Sequence, residues 1–241
     1  MAVRIDRRTF LGGTAGAALA AGLAPPALAQ QKPIRIGLLT VKTGPLAEGG
    51  IQMEQGTRLY LKDANGMMAG RKVELVVADT GGNPAGAKTK AQELIERDHV
   101  DLIFGPLASF ELLAISSYVA GRKVPILSLA AAEDMTQREP NPYFVRASAT
   151  AAQAMQPLGD YAAKTLKYKT AMTIVEDFAF GYEQMGGFQR VFEDEGGRVK
   201  KKLWPPIVTP DYTPYLAQLG GVDVIVQGFA GSNPLKFMKQ Y

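Results

Sequence analysis

No cysteine occurs in the 241 residues, which excludes a disulfide framework, a thiolate metal site, a cysteine nucleophile and a lipid-modified N-terminal cysteine. Histidine is almost as scarce. His99 is the only one, placed between a charged helical run and an apolar strand, so a Ser-His-Asp triad or a His-rich metal centre would have to be built around it. It reads as a surface or structural residue. The chain has no G-x-S-x-G nucleophile elbow and no G-x-x-x-x-G-K-[ST] phosphate loop. The segment Thr40 to Gly50 after the first apolar run lacks G-x-G-x-x-G, and Gly81, Gly82 and Gly86 match neither spacing. Acidic groups such as Glu133-Asp134 and Glu193-Asp194-Glu195 read as solvated faces and caps. The residues therefore point to a chain that is not an enzyme and needs no cofactor or metal.

Charge and hydropathy exclude further classes. Lys and Arg total 27 against 23 Asp and Glu, and Lys200-Lys201-Lys202 is the one basic cluster beyond the N-terminus, which argues against a nucleic-acid partner. The uncharged run from Leu11 to Leu28 is short, rich in Gly and Ala, and broken by Pro25-Pro26, whereas a bilayer span needs about 20 apolar residues. With Arg7-Arg8 before it and Ala27-Leu28-Ala29 at its end, it reads as a cleaved export signal over residues 1–29, of the twin-arginine type. Asp6, where such signals usually carry Ser or Thr, departs from that pattern. Export of this kind predicts a periplasmic protein.

What is present is an alternation. Short apolar runs alternate with amphipathic runs of helical length, the pattern of a parallel α/β sheet. Strands are expected at Ile34–Leu39, Val73–Ala78, Val100–Phe104 and Val124–Ser128, with helices over about Ile51 to Ala64, from Pro84, and from Ser109 as N-cap. After the extended piece Tyr143–Arg146 the pattern restarts, with helices over about 151–166 and 182–195 and strands over 169–175 and 198–204. A weaker helix at 215–219, a strand at 222–227 and a helix from Pro234 follow. The expected organisation is two α/β lobes, residues 30–146 and 147–241. The last helix stops at Tyr241 without a C-terminal signal, so the second lobe reads as incomplete and the chain as a fragment.

Several segments, taken in order, carry a resemblance. They are Thr43-Gly44-Pro45 through Gly56, Asp79 through Pro84, Phe104-Gly105-Pro106-Leu107-Ala108-Ser109, Val124 through Thr136, and Val175-Glu176-Asp177-Phe178-Ala179-Phe180-Gly181. Together they resemble the leucine/isoleucine/valine-binding family, the two-lobed solute receptors of ABC importers. The resemblance implies a two-lobed periplasmic binding protein, parallel sheets flanked by helices, acting as a monomer. It would hold a branched-chain amino acid or a related aromatic or apolar acid between its lobes and deliver it to a permease in the inner membrane.

By the same resemblance Ser109 would hold the ligand carboxylate with its hydroxyl and backbone. Ala130, Ala131 and Ala132 would border it, and Phe180 and Ala230 would close from the second lobe. Phe110, Phe180 and Phe229 would add apolar surface. The family commonly has Thr at the position of Ala132 and Tyr at that of Phe180, so this chain has lost two polar handles, and the family's ammonium-binding acid falls beyond Tyr241. Ser109 can also be a plain helix cap, and the three Phe residues can be core. Two other classes fit less well: a ligand sensor of the same fold, such as an amide or amino-acid receptor, and an exported hydrolase, for which no elbow and no later His exist.

Overall fold

The computed structural model describes residues 31–241, so the expected signal at 1–29 lies outside the described residues. The chain divides into Met1–Pro33 and Ile34–Tyr241, and the sheets and cavities among the described residues lie in the second unit. Among the described residues, nine strands form two sheets. The first has the order β2-β3-β1-β4-β5-β6, from strands Ile34–Thr40 (β1), Met67–Met68 (β2), Arg71–Asp79 (β3), Leu102–Phe104 (β4), Ile126–Ser128 (β5) and Phe144–Arg146 (β6). All pairings in it are parallel except the short β2–β3 one. The second sheet, fully parallel, has the order β8-β7-β9, from Thr170–Val175 (β7), Arg198–Leu203 (β8) and Val224–Gly228 (β9). This is the two-lobed α/β fold that the alternation led one to expect.

The helices are Ala47–Asp63 (α1), Pro84–Gln92 (α2), Ser109–Arg122 (α3), Ala151–Asp160 (α4), Ala179–Asp194 (α5), Thr213–Leu216 (α6) and Asn233–Gln240 (α7). α2 and α4 each run on into one π-helical turn. Local chemistry sets several of the starts. Asn83 caps α2 by accepting from Gly86 N, with Pro84 in the first turn, where its missing N–H costs nothing. Thr150 and Gln153 satisfy each other's backbone at the start of α4, a complete capping box. His99, exposed with a φ of 48°, is the left-handed link between the π turn after α2 and β4.

Packing follows strand alternation. Leu39 and Ile103 point to the face covered by α2 and α3, where they join Leu94, Leu112, Ile115 and Val119 in the largest buried cluster. In the second sheet, Ala171 and Val175 meet Met185, Phe188 and Phe192 of α5, while Ile174 on the other face meets Tyr212, Phe229 and Phe237. Phe229 therefore lies in the core rather than on a binding surface, because the register of β9 turns it to the face covered by α6 and α7. Full burial of such side chains contributes about 1.5–3 kcal/mol each, which is what holds the second lobe without a disulfide.

Candidate functional site

In open parallel sheets the loops after the carboxyl ends of the strands converge, and ligands gather there. Here the loops after β4 and β5 are tied together. Ser128 Oγ donates to Pro106 O at 2.6 Å and accepts from Ala130 N at 2.9 Å. Arg146, at the end of β6, donates to the carbonyls of Ala130 at 2.7 Å and Ala132 at 2.6 Å, which fixes the path of the alanine-rich loop.

That loop runs extended, so alternate residues face opposite ways. Ala130 and Ala132 are buried in the core cluster, while Leu129 and Ala131 face a cavity of about 260 Å³. The cavity is lined by Leu46, Gly49, Leu107, Ala108, Ser109, Leu129 and Ala131 from the first lobe and by Phe178, Phe180, Ala230 and Gly231 from the second. The structure thus brings Ser109, Ala131, Phe180 and Ala230 together. It places Phe110 just behind them, where its ring meets Phe178 edge-on at 5.4 Å, and Phe178 stacks on Phe180 at 5.8 Å.

Ser109 is not the cap of α3. Ala108 holds that position in an extended conformation (φ −89°, ψ 141°), and its methyl group makes no capping bond. Ser109 is the first helical residue and is buried at the cavity wall. The leading N–H groups of a helix have no partner within it, and here no side chain of the cap supplies one. An anion in the cavity meets those N–H groups and the positive end of the helix dipole. Glu111, still in the first turn, is turned the other way: it accepts from Thr80 Oγ1 and from the Ala108 backbone, and burial raises its pKa.

Among the described residues no Asp, Glu, Lys, Arg or His lines the cavity. Glu176, in the second-lobe loop before Phe178, is spent on the fold. It accepts from Ala230 N at 3.1 Å and from Asn233 Nδ2 at 2.6 Å, and burial, opposed by these two bonds, pushes its pKa up to about 7. Glu176 therefore fixes the Ala230–Gly231 loop from behind. Gly231 has a φ of +59°, and a Cβ there would lie 2.0 Å from Pro45 O; the next residue, Ser232, donates its N–H to that same oxygen at 3.1 Å. The two lobes touch at this point beside the cavity.

Among the described residues no group of three or more His, Asp or Glu could hold a metal ion, and no helix is long and apolar enough to cross a membrane. The site residues that sequence reasoning did not name are Leu46, Gly49, Leu107, Ala108, Leu129, Phe178 and Gly231. One of them carried a signal: Leu129 shares the face of Ala131 by the period of two.

The profile of the periplasmic binding protein family matches residues 33–241. The chain belongs to this family. A Leu/Ile/Val-binding protein homolog of Brucella melitensis is 26% identical over 212 residues, covering 86% of this chain and 54% of the relative. Among solved structures, a solute-binding protein of an ABC transporter from Rhodopseudomonas palustris BisB5, in complex with 3,4-dihydroxybenzoic acid, is 31% identical with a TM-score of 0.81, covering 86% of this chain and 57% of that one. Another R. palustris solute-binding protein, in complex with benzoate, is 25% identical with a TM-score of 0.83 and coverages of 87% and 59%. The chain spans about half the length of the curated relatives it matches.

Proposed function

We propose that this periplasmic binding protein is the solute-binding component of an ABC importer, and that it holds an apolar, preferably aromatic, carboxylate between its lobes for delivery to an inner-membrane permease. The lobes are taken as residues 30–146 and 147–241, the location as the periplasm and the working unit as a monomer. The observation that carries the reading is the make-up of the cavity, apolar on every side except at Ser109 and the uncapped start of α3. A carboxylate there finds unpaired N–H donors. An ammonium group would need an acidic partner, because burying it unpaired costs several kcal/mol, and the resemblance puts that partner beyond Tyr241. The choice of an acid over an amino acid therefore rests on the ligands of the solved neighbours rather than on the lining. The complexes of the R. palustris neighbours with benzoate and 3,4-dihydroxybenzoic acid support the aromatic choice, and the Leu/Ile/Val-binding relatives support the branched-chain alternative.

The test is thermal unfolding against paired ligands: leucine with 4-methylpentanoate, phenylalanine with 3-phenylpropanoate, then benzoate and 4-hydroxybenzoate. A ligand at 100 times its Kd stabilises by about 2.7 kcal/mol, a shift of several degrees. A shift with the acids and not with the amino acids is the expected result. A shift with the amino acids alone overturns the choice of ligand, and turnover of any member overturns the binding-protein reading.

A further inference from the structure

The lobes meet at a second place, where α5 faces the segment that follows the alanine-rich loop. There Glu183, one turn into α5, reaches across to the first lobe and accepts the Glu133 backbone N–H at 2.9 Å. Glu133 in turn accepts from Thr150 Oγ1 at 2.9 Å, the hydroxyl that also caps α4. Three carboxyl groups, those of Glu183, Glu133 and Asp134, are thus gathered at the seam. The second oxygen of Glu183 is buried without any donor. A carboxylate oxygen in that position is costly, and a proton on it removes the cost.

The cations nearby do not neutralise it. Arg138 is paired to Asp134, and Arg146 donates to the carbonyls of Ala130 and Ala132. Arg190, two turns along α5, is exposed. From the packed elements, the charged groups facing Glu183 are Glu133 and Asp134, which repel its charge, and Arg138 and Arg146, which offset part of it.

We propose that closing the lobes takes up a proton at Glu183, so that acid favours the closed form and base the open one. The proton comes from solvent and returns to it on opening. With the lobes in contact as here, burial is the main cause that pushes the pKa of this group up to about 7, and parting them would expose it to water, toward its ordinary 4.5. A group whose pKa is higher in the closed form stabilises that form below the open-state value and loses the effect as pH rises through the closed-state value. The window is therefore roughly pH 4.5 to 7. Because Glu183 is only half-buried, the full difference is discounted, and the closed-to-open ratio should rise on the order of tenfold from about pH 8 to about pH 5.

The absence of cysteine makes the test direct. Lys88→Cys on α2 and Asp194→Cys on α5, both exposed, take nitroxide labels, and electron–electron resonance reads the distance between lobes without any ligand. The expected result is a larger closed fraction at low pH. Glu183→Gln, a neutral isostere that keeps the acceptor oxygen, should be closed at both pH values, and Glu183→Ala should lose both the latch and the pH dependence. Glu176→Gln, which changes a carboxyl bonded only within the second lobe, should keep the pH dependence. Equal closed fractions of the unsubstituted chain at the two pH values, or a pH dependence that survives Glu183→Gln, would overturn the proposal. Because no ligand is added, a wrong ligand assignment leaves this result intact.

Discussion

Replacing Gly231 by Ala should separate the cost of backbone strain from the cost of closing the site. Any L-residue at a φ of +59° carries strain of about 1 kcal/mol, and it does so whether the lobes are open or closed. That part lowers the melting temperature of the free protein by several degrees and leaves affinity unchanged. The new methyl group also stands 2.0 Å from Pro45 O, more than 1 Å inside an ordinary contact. This clash exists only where the lobes touch. Relieving it stretches the Ser232 N–H to Pro45 O bond, worth about 0.5–1.5 kcal/mol, and loosens the apolar seam of Leu46, Ala108 and Ala230 beside it. Ligand affinity should therefore fall about tenfold, the equivalent of 1.4 kcal/mol. Calorimetric titration with whichever acid stabilises the parent protein measures it. Gly231→Asn is the control: Asn tolerates the left-handed region better but carries the same Cβ, so it should recover part of the melting temperature and none of the affinity. If Gly231→Ala melts lower yet binds as tightly as the parent, the contact with Pro45 does not belong to the ligand-bound form, and the argument fails.

Phe180→Ala should weaken binding about tenfold while moving the ligand-free melting temperature little, because the ring is only half-buried and faces the cavity; a large loss of stability in the free protein would return Phe180 to the core. Stability should fall as pH rises from about 4.5 toward 7, since Glu111, Glu176 and Glu183 all have pKa values raised by burial and the folded chain then holds more protons than the unfolded one; thermal melts of Glu176→Gln across that range should show a flatter profile. Thr150→Ala removes a capping box and should cost about 1 kcal/mol in denaturant unfolding; an unchanged midpoint would mean that Gln153 alone holds the start of α4.

The architecture was legible because the sheets are parallel and buried: Ile34–Leu39 and Val100–Phe104 read as strands from their apolar runs alone, and Pro84 and Asn83 marked the start of α2. The boundaries moved where tertiary contacts decide them. α1 begins four residues before the expected Ile51 because Gly50 packs against the Val41 carbonyl, too close for any side chain, which periodicity does not register. Ser109 looked like a cap since Ser is a common one; the register of the loop instead gave that place to Ala108 and left the hydroxyl at the cavity. Ala130 and Ala132 followed from the resemblance, whereas strand alternation alone would have chosen Leu129 and Ala131. Glu183 could not have been found from the sequence, because its partner is a backbone N–H 50 residues away in another lobe.

The division of labour between the lobes follows from these placements. The polar groups of the cavity, Ser109 and the start of α3, belong to the first lobe, where Ser128 and Arg146 hold the surrounding loops rigid without any ligand. Among the described residues the second lobe offers the cavity no polar side chain, only the Phe178 and Phe180 rings, Ala230 and the backbone at Gly231. A carboxylate can therefore be oriented before closure by the first lobe alone, while the apolar end of the ligand gains its contacts only when the second lobe arrives. The free energy that closes the lobes comes from burying that apolar end, at roughly 25 cal/mol per Å². A small polar acid would dock without supplying the drive to close, and a large apolar molecule without a carboxylate would have nothing to hold it in place while the second lobe approached. On the proposed function, selectivity for acids with an apolar body would arise from the order of contacts as much as from the shape of the cavity.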